Sequence, residues 1–330
     1  MVGYIIRRIL GMVLLLFLLT LVVFFLFNMI PGDPARLTCG KICTPSLLEA
    51  NRHRLGLDKP PIEQYAQFLG GLVNGRVYAA DSPAPVICQA PCLGYSFLKH
   101  QQVLSLITKA IPVTFWLAVG GFILWIFFGV LGGIYAALHR GKWQDRTIMG
   151  IALIGYSLPS FFIGLVLIFF VILQFGWLPF PQYVSPNEDP VKFFQTMLLP
   201  WIVIAVLNAA FYVRLTRNQV LETLGEDYVR TARAKGVRER VVVVKHALRA
   251  GLTPIVTAAG LDLAYLLGGA IITESIFSLP GMGSLAVGSV LQSDLPIIAG
   301  ITLVAAAFII FANLIVDLLY TVLDPRVRVG

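Results

Sequence analysis

Charge is scarce in this chain. Acidic and basic residues make up 13% of its 330 positions, against 58% hydrophobic residues, and the mean hydropathy is +0.83. A soluble globular domain carries about 25% charged residues, so an ordinary water-soluble fold is excluded and lipid is the expected solvent. A phosphate cradle is missing too. The Gly-Lys pairs are Gly40-Lys41 and Gly141-Lys142, and neither has the upstream Gly or the following Ser or Thr that a nucleotide-binding P-loop needs. Histidine is rare: His53, His100, His139 and His246 are scattered along the chain, which argues against a shared metal site and leaves no catalytic constellation. Period-two alternation in segments of about ten residues is absent, which excludes a transmembrane β-barrel. No internal repeat or paired intramembrane charges are evident, which argues against a secondary transporter driven by an ion gradient.

What is present is a set of six apolar runs, near residues 9–30, 112–138, 148–175, 197–213, 252–272 and 297–319. Each is of the order of the roughly 20 helical residues that cross the hydrocarbon core. The expected fold is an all-α integral membrane protein of six transmembrane helices. The first run, led by Arg7 and Arg8, is too long for a signal peptide, and Asn28-Met29-Ile30-Pro31 is no small-residue cleavage site.

Orientation follows from Lys and Arg in the short connections. Arg7 and Arg8, then Arg140, Lys142 and Arg146, then the segment after the fourth run, and finally Arg326 and Arg328 all fall on one side. The other side has Lys192 after the third run and nothing after the fifth. Both termini are thus expected to be cytoplasmic. The net charge of +8 sits where this rule puts it, so nucleic acid is not an expected partner. Residues 1–30 then form a tail and first span, 31–109 a long extracytoplasmic cap, and 110–330 a core of five spans.

All four cysteines lie in that cap, as Cys39 and Cys43, then Cys88 and Cys92. An even number on an oxidising face reads as two disulfides, with three connectivities open. A four-Cys metal site is the alternative, disfavoured because its thiols would have to stay reduced outside the cell. Pairing across the two clusters would staple the start of the cap to its end.

Residues 226–251 read EDYVRTARAKGVRERVVVVKHALRAG. Glu226 and Asp227 suit a helix N-terminus, Tyr228, Val229 and Ala232 recur at helical spacing, and Gly236 suits the position just past a helix end. A second helix through Val241–Val244 to Arg249 would follow. A helix, Gly turn and helix with small residues and a basic rim fits a groove on a cytoplasmic partner.

This segment resembles the cytoplasmic coupling loop of the inner-membrane permeases of binding-protein-dependent ABC importers, in the dipeptide and oligopeptide permease branch. The general signature has Glu-Ala-Ala six residues ahead of Gly; here Arg230-Thr231-Ala232 stands there, with Ala232 and Gly236 kept. The resemblance extends along the chain through Tyr4 to Arg8, Pro31-Gly32-Asp33-Pro34, Leu55-Gly56-Leu57-Asp58, Leu93-Gly94-Tyr95-Ser96 and Ser157-Leu158-Pro159-Ser160. It continues with Glu274, Phe277, Pro280-Gly281-Met282-Gly283, Asp317 and Leu323-Asp324-Pro325-Arg326. Residues 77–92 look like an insertion relative to that branch.

The resemblance implies a bacterial or archaeal inner-membrane permease with no cofactor of its own. Its expected partners are a second, homologous permease, two cytoplasmic ABC ATPases that bind ATP and Mg, an extracytoplasmic substrate-binding protein and membrane lipid. The coupling loop, residues 219–250, would meet the ATPases through Glu226, Asp227, Tyr228, Arg230, Thr231, Ala232, Arg233, Ala234, Lys235 and Gly236. Asp262 and Asp317, carboxylates within spans, are candidates for a path-lining or packing role. Peptides are the expected cargo, with nickel chelates and oligosaccharides carried by close relatives.

Overall fold

The computed structural model describes residues 2–29, 34–37, 43–78 and 85–323. The chain is mostly helical. It begins with α1 (Val2–Met29), the short α2 (Pro34–Leu37), α3 (Pro45–Leu55) and α4 (Pro61–Asn74). Two small hairpins follow, β1 (Arg76–Tyr78) with β2 (Val86–Cys88), and β3 (Tyr95–Ser96) with β4 (Gln101–Gln102). The long α5 (Val103–Leu138) leads to α6 (Trp143–Ser157), then α7 (Ser160–Leu167), which continues as a π-helical turn over Ile168–Gln174. Next come α8 (Pro190–Leu224), α9 (Asp227–Ala234), α10 (Glu239–Val241), a π-helical stretch Val242–Leu248, and α11 (Arg249–Gly251). The chain continues through α12 (Thr253–Leu267), α13 (Ile271–Ile276), α14 (Met282–Leu291) and α15 (Leu295–Leu323).

Among the described residues four helices are long and apolar enough to cross a membrane, and up to six spans result if each of two bent pairs counts as one. The expected third span is one of those pairs: α6 and the α7 segment meet at 98°, where the apolar run alone suggested a continuous helix. The cause is Pro159, whose ring disfavours the helical region for the residue before it. Leu158 accordingly sits at φ −87, ψ 131. The second pair, Glu239–Gly251 with Thr253–Leu267, bends by 45°.

The residues cluster into two compact units, one containing Val113–Pro280 and the other Val2–Pro112 with Gly281–Phe311. In the first, α5 and α8 pack along glycines. A Cβ on Gly129 would come within 2.6 Å of Tyr212 Cβ, and one on Gly133 within 2.7 Å of the Val213 carbonyl oxygen. The backbones therefore meet closely, as membrane helices with small-residue seams do. Around this seam lie Leu117, Trp125, Met197, Tyr212 and Phe277, all buried.

In the second unit, α4 lays Tyr65 and Phe68 against Phe24 of α1, with ring centroids 5.3 and 5.9 Å apart. The β1–β2 hairpin alternates as a half-buried strand pair should. Tyr78 and Cys88 turn into a small cluster with Cys92, while the cross-strand partners Val77 and Ile87 are exposed. Gly75, at φ 79, begins this hairpin, and a Cβ there would strike the Cys88 carbonyl. Ser96 donates a hydrogen bond to the buried Asp294 carboxylate, and Val103, Ile107, Met282 and Ile297 form the apolar core of this unit.

Candidate functional site

The basic segment folds as helix, turn and helix. Glu226 precedes α9 in an extended conformation, and Asp227 in the first turn complements the helix dipole. At the far end Gly236 takes φ 74, and the Val237 N–H donates back to the Ala232 carbonyl at 3.3 Å, a C-terminal closure that favours glycine at this position. Val229 and Ala232 are buried with Val242 against Leu224 and Val237. Val229 and Ala232 thus hold the helix down, and Ala232 of the expected contact set faces inward. Tyr228, Arg230, Thr231, Arg233, Ala234, Lys235 and Gly236 are exposed. Partial desolvation, and secondarily the Glu226 charge, pushes the Tyr228 phenol above its ordinary pKa.

Arg233 is engaged within the loop. Its Nη2 donates to Glu239 Oε1 at 2.7 Å, its Nε to Oε2 at 3.1 Å, and its Nη1 to the Leu224 carbonyl at 3.4 Å. One guanidinium therefore bridges the end of α8 and the start of α10 across the Gly236 turn. Glu239 went unnoticed in the sequence; a carboxylate six residues after an arginine with a glycine between was the available signal. Arg230 meets Asp227 at 3.6 Å with both side chains well exposed, a pairing that contributes little. The valine run after the turn is helical, with a π-helical stretch, and Val242 and Val243 are buried.

Asp145, Glu274 and Asp262 have defined partners. Asp145 at the start of α6 binds Arg217 of α8 through two bonds, 2.6 Å from Nε and 2.8 Å from Nη2, and accepts the Gly141 N–H at 3.0 Å. Nothing in the sequence joins these two, because they lie 72 positions apart. Glu274 is fully buried on α13 and accepts the Thr114 hydroxyl at 2.8 Å. Asp262 on α12 accepts the Tyr212 hydroxyl at 2.6 Å. Asp317 lies on α15, with its side chain outside the described residues.

The second cysteine cluster pairs locally. Cys88 bonds to Cys92, four positions on, with both buried. Cys43 is also disulfide-bonded, and Cys39 lies outside the described residues. The Cys88–Cys92 bond is a disulfide of the kind expected, and of the three open connectivities it selects the one without cross-pairing; the disfavoured four-Cys metal site is not formed. Cys88 ends β2, and the chain turns at Ala90-Pro91 so that the two Cα atoms stand 5.6 Å apart, within disulfide reach.

Residues 129–329 match the model of the binding-protein-dependent transport system inner membrane component, and residues 1–118 match that of the N-terminal part of such membrane components. The glutathione transport system permease protein GsiC of Escherichia coli (strain K12) is 37% identical over 328 residues, covering 99% of each chain. A protein named as a peptide transport system permease from Brucella abortus (strain 2308) is 35% identical over the same length, again with 99% of each covered. Among solved structures, a chain of the MetNI methionine ABC transporter aligns with a TM-score of 0.51 at 16% identity, over 67% of this chain and 97% of that one. That likeness concerns the fold alone. With a family model spanning more than half the chain and relatives alike from end to end, the protein belongs to the binding-protein-dependent transport system inner membrane components.

Proposed function

We propose that this chain is the permease subunit of an ATP-driven, binding-protein-dependent importer and forms, with a second related permease, the membrane path for di- or oligopeptides. One observation carries the reading: the full-length similarity to relatives named for peptide and glutathione transport. Those names favour peptides over nickel chelates or oligosaccharides as cargo. Hydrolysis of ATP with Mg falls to two cytoplasmic partner ATPases, and cargo arrives on an extracytoplasmic binding protein.

In this reading residues 31–109 form the outer cap, residues 110–330 the permease core, both termini are cytoplasmic, and residues 219–250 are the coupling loop. Tyr228 and Thr231 of α9, with Lys235 just past its end, form one exposed stripe, and this stripe meets the ATPase. Arg233 sets the pose of α9 through Glu239 and the Leu224 carbonyl. The Glu-Ala-Ala acid of the general signature is not needed for a shallow contact of this kind.

The test is co-purification of the tagged chain from its native membrane in mild detergent, beside Arg233→Glu and Gly236→Pro. Proline cannot adopt the positive φ of Gly236, and a glutamate at 233 repels Glu239. The expected result is a second permease and ATP-hydrolysing subunits with the parent chain, and loss of the ATPases in both variants. Recovery of the parent chain alone, or ATPases indifferent to both changes, would refute the reading.

A further inference from the structure

We propose that Asp262 and Tyr265 of α12 form a subsite for the protonated amino group of a peptide cargo, an inference that rests on the peptide-permease reading. An aspartate inside a membrane span is costly unless something offsets its charge. Asp262 lies ten residues into α12, and among the described residues no Lys, Arg or His pairs with it. What the fold does supply is a hydrogen bond from Tyr212. Tyr212 is itself fully buried, packed beside Trp125, whose indole nitrogen is buried with no hydrogen-bond partner. The carboxylate is therefore held by a rigid donor while its charge stays uncompensated. A carboxylate has roughly four acceptor positions, so the single Tyr212 bond leaves capacity for a second ligand.

Tyr265 supplies the other half of the subsite. It follows Asp262 by three positions, so the two are neighbours on the helix surface, and the residue is 77% exposed. This phenol stands clear of its own chain and is free to meet a group in the path. A carboxylate beside an exposed aromatic ring is the chemistry that recognises an ammonium group, by ion pairing and by attraction to the ring face. The α-amino group of a peptide is mostly protonated at neutral pH, with a pKa of about 8. Its passage through hydrocarbon is penalised for the same reason as the isolated carboxylate, so each relieves the other.

The experiment uses the complete importer in membranes, with trialanine as the probe cargo. Asp262→Asn keeps the size of the side chain and an acceptor for Tyr212 while removing the charge. It should reduce trialanine uptake about tenfold or more with the co-purified ATPases unchanged, and Asp262→Glu should restore part of it. In a Tyr265→Cys importer, a trimethylammonium thiosulfonate should modify the new thiol about fivefold faster than a sulfonate-bearing one. Asp262→Asn should narrow that ratio, and trialanine should slow the labelling. A smaller uptake loss in Asp262→Asn, or a thiol at 265 that neither reagent reaches, overturns the subsite and assigns the pair to lipid or to a cation of the second permease. An unmutated importer that takes up no trialanine defeats the peptide reading itself, whereas normal uptake that ignores Asp262→Asn defeats only the ammonium site.

Discussion

Asp145 and Arg217 show how a single pair can hold two spans together. The Asp145 side chain is 6% exposed and that of Arg217 20%, and the guanidinium grips both carboxylate oxygens, the geometry in which arginine outperforms lysine. Removing one partner strands the other charge in a poorly solvated place, a loss of about 3 kcal/mol in comparable buried pairs. Asp145→Ala is thus expected to lower the thermal unfolding temperature of the detergent-purified protein by several degrees, with Arg217→Lys intermediate. A variant that melts with the parent would show that the pair is solvated. Arg233 and Glu239 form the contrasting case, since their side chains are 40% and 60% exposed. That pair contributes little to stability, so its changes should register in ATPase binding and not in melting.

The helices α5 and α8 set how close their neighbours approach. Gly133 faces backbone atoms of Val213 and Arg217, at 2.7 and 3.0 Å from a built Cβ, whereas Gly132 meets only a Val213 methyl at 3.2 Å and Gly150 meets nothing within 4 Å. Gly133→Ala should therefore destabilise by about 1–3 kcal/mol through overpacking. Gly132→Ala should cost less, and Gly150→Ala should be neutral or gain up to about 1 kcal/mol in helix propensity. Ranking the three unfolding temperatures tests the seam, and equal values would deny the close approach. The elements were unequally readable beforehand. Spans could be located because the bilayer demands length and apolarity. The outer turns of α5 and α8 could not, since Lys109, Arg214 and Arg217 interrupt the apolar pattern while the backbone continues as helix. The bend at Leu158 was available in the residue before Pro159, yet hydropathy averages across it. Partnerships such as Tyr212 with Asp262, 50 positions apart, arise only when the helices assemble.

For the whole molecule, the sidedness derived from Lys and Arg is the proposal with the widest reach. Cysteines placed at Lys142 and at Asn187 should be labelled by a membrane-impermeant maleimide from opposite faces of sealed vesicles, Lys142 from the cytoplasmic one. Labelling of both from one face would reverse or refold the topology and would put residues 219–250 out of reach of any cytoplasmic ATPase. The length of α8 bears on the same question. Its 35 residues extend ~52 Å at 1.5 Å each, well beyond the ~30 Å hydrocarbon core. It begins at the Asp189 cap and ends at the Leu224 carbonyl that Arg233 holds. A rod of that length tilting by ~5° about its midpoint moves each tip by ~2 Å. If residues 219–250 are the coupling loop proposed above, α8 would be a lever: force applied there by a partner ATPase would reach the opposite face of the membrane through this one helix, as leverage rather than as a relay of side-chain contacts.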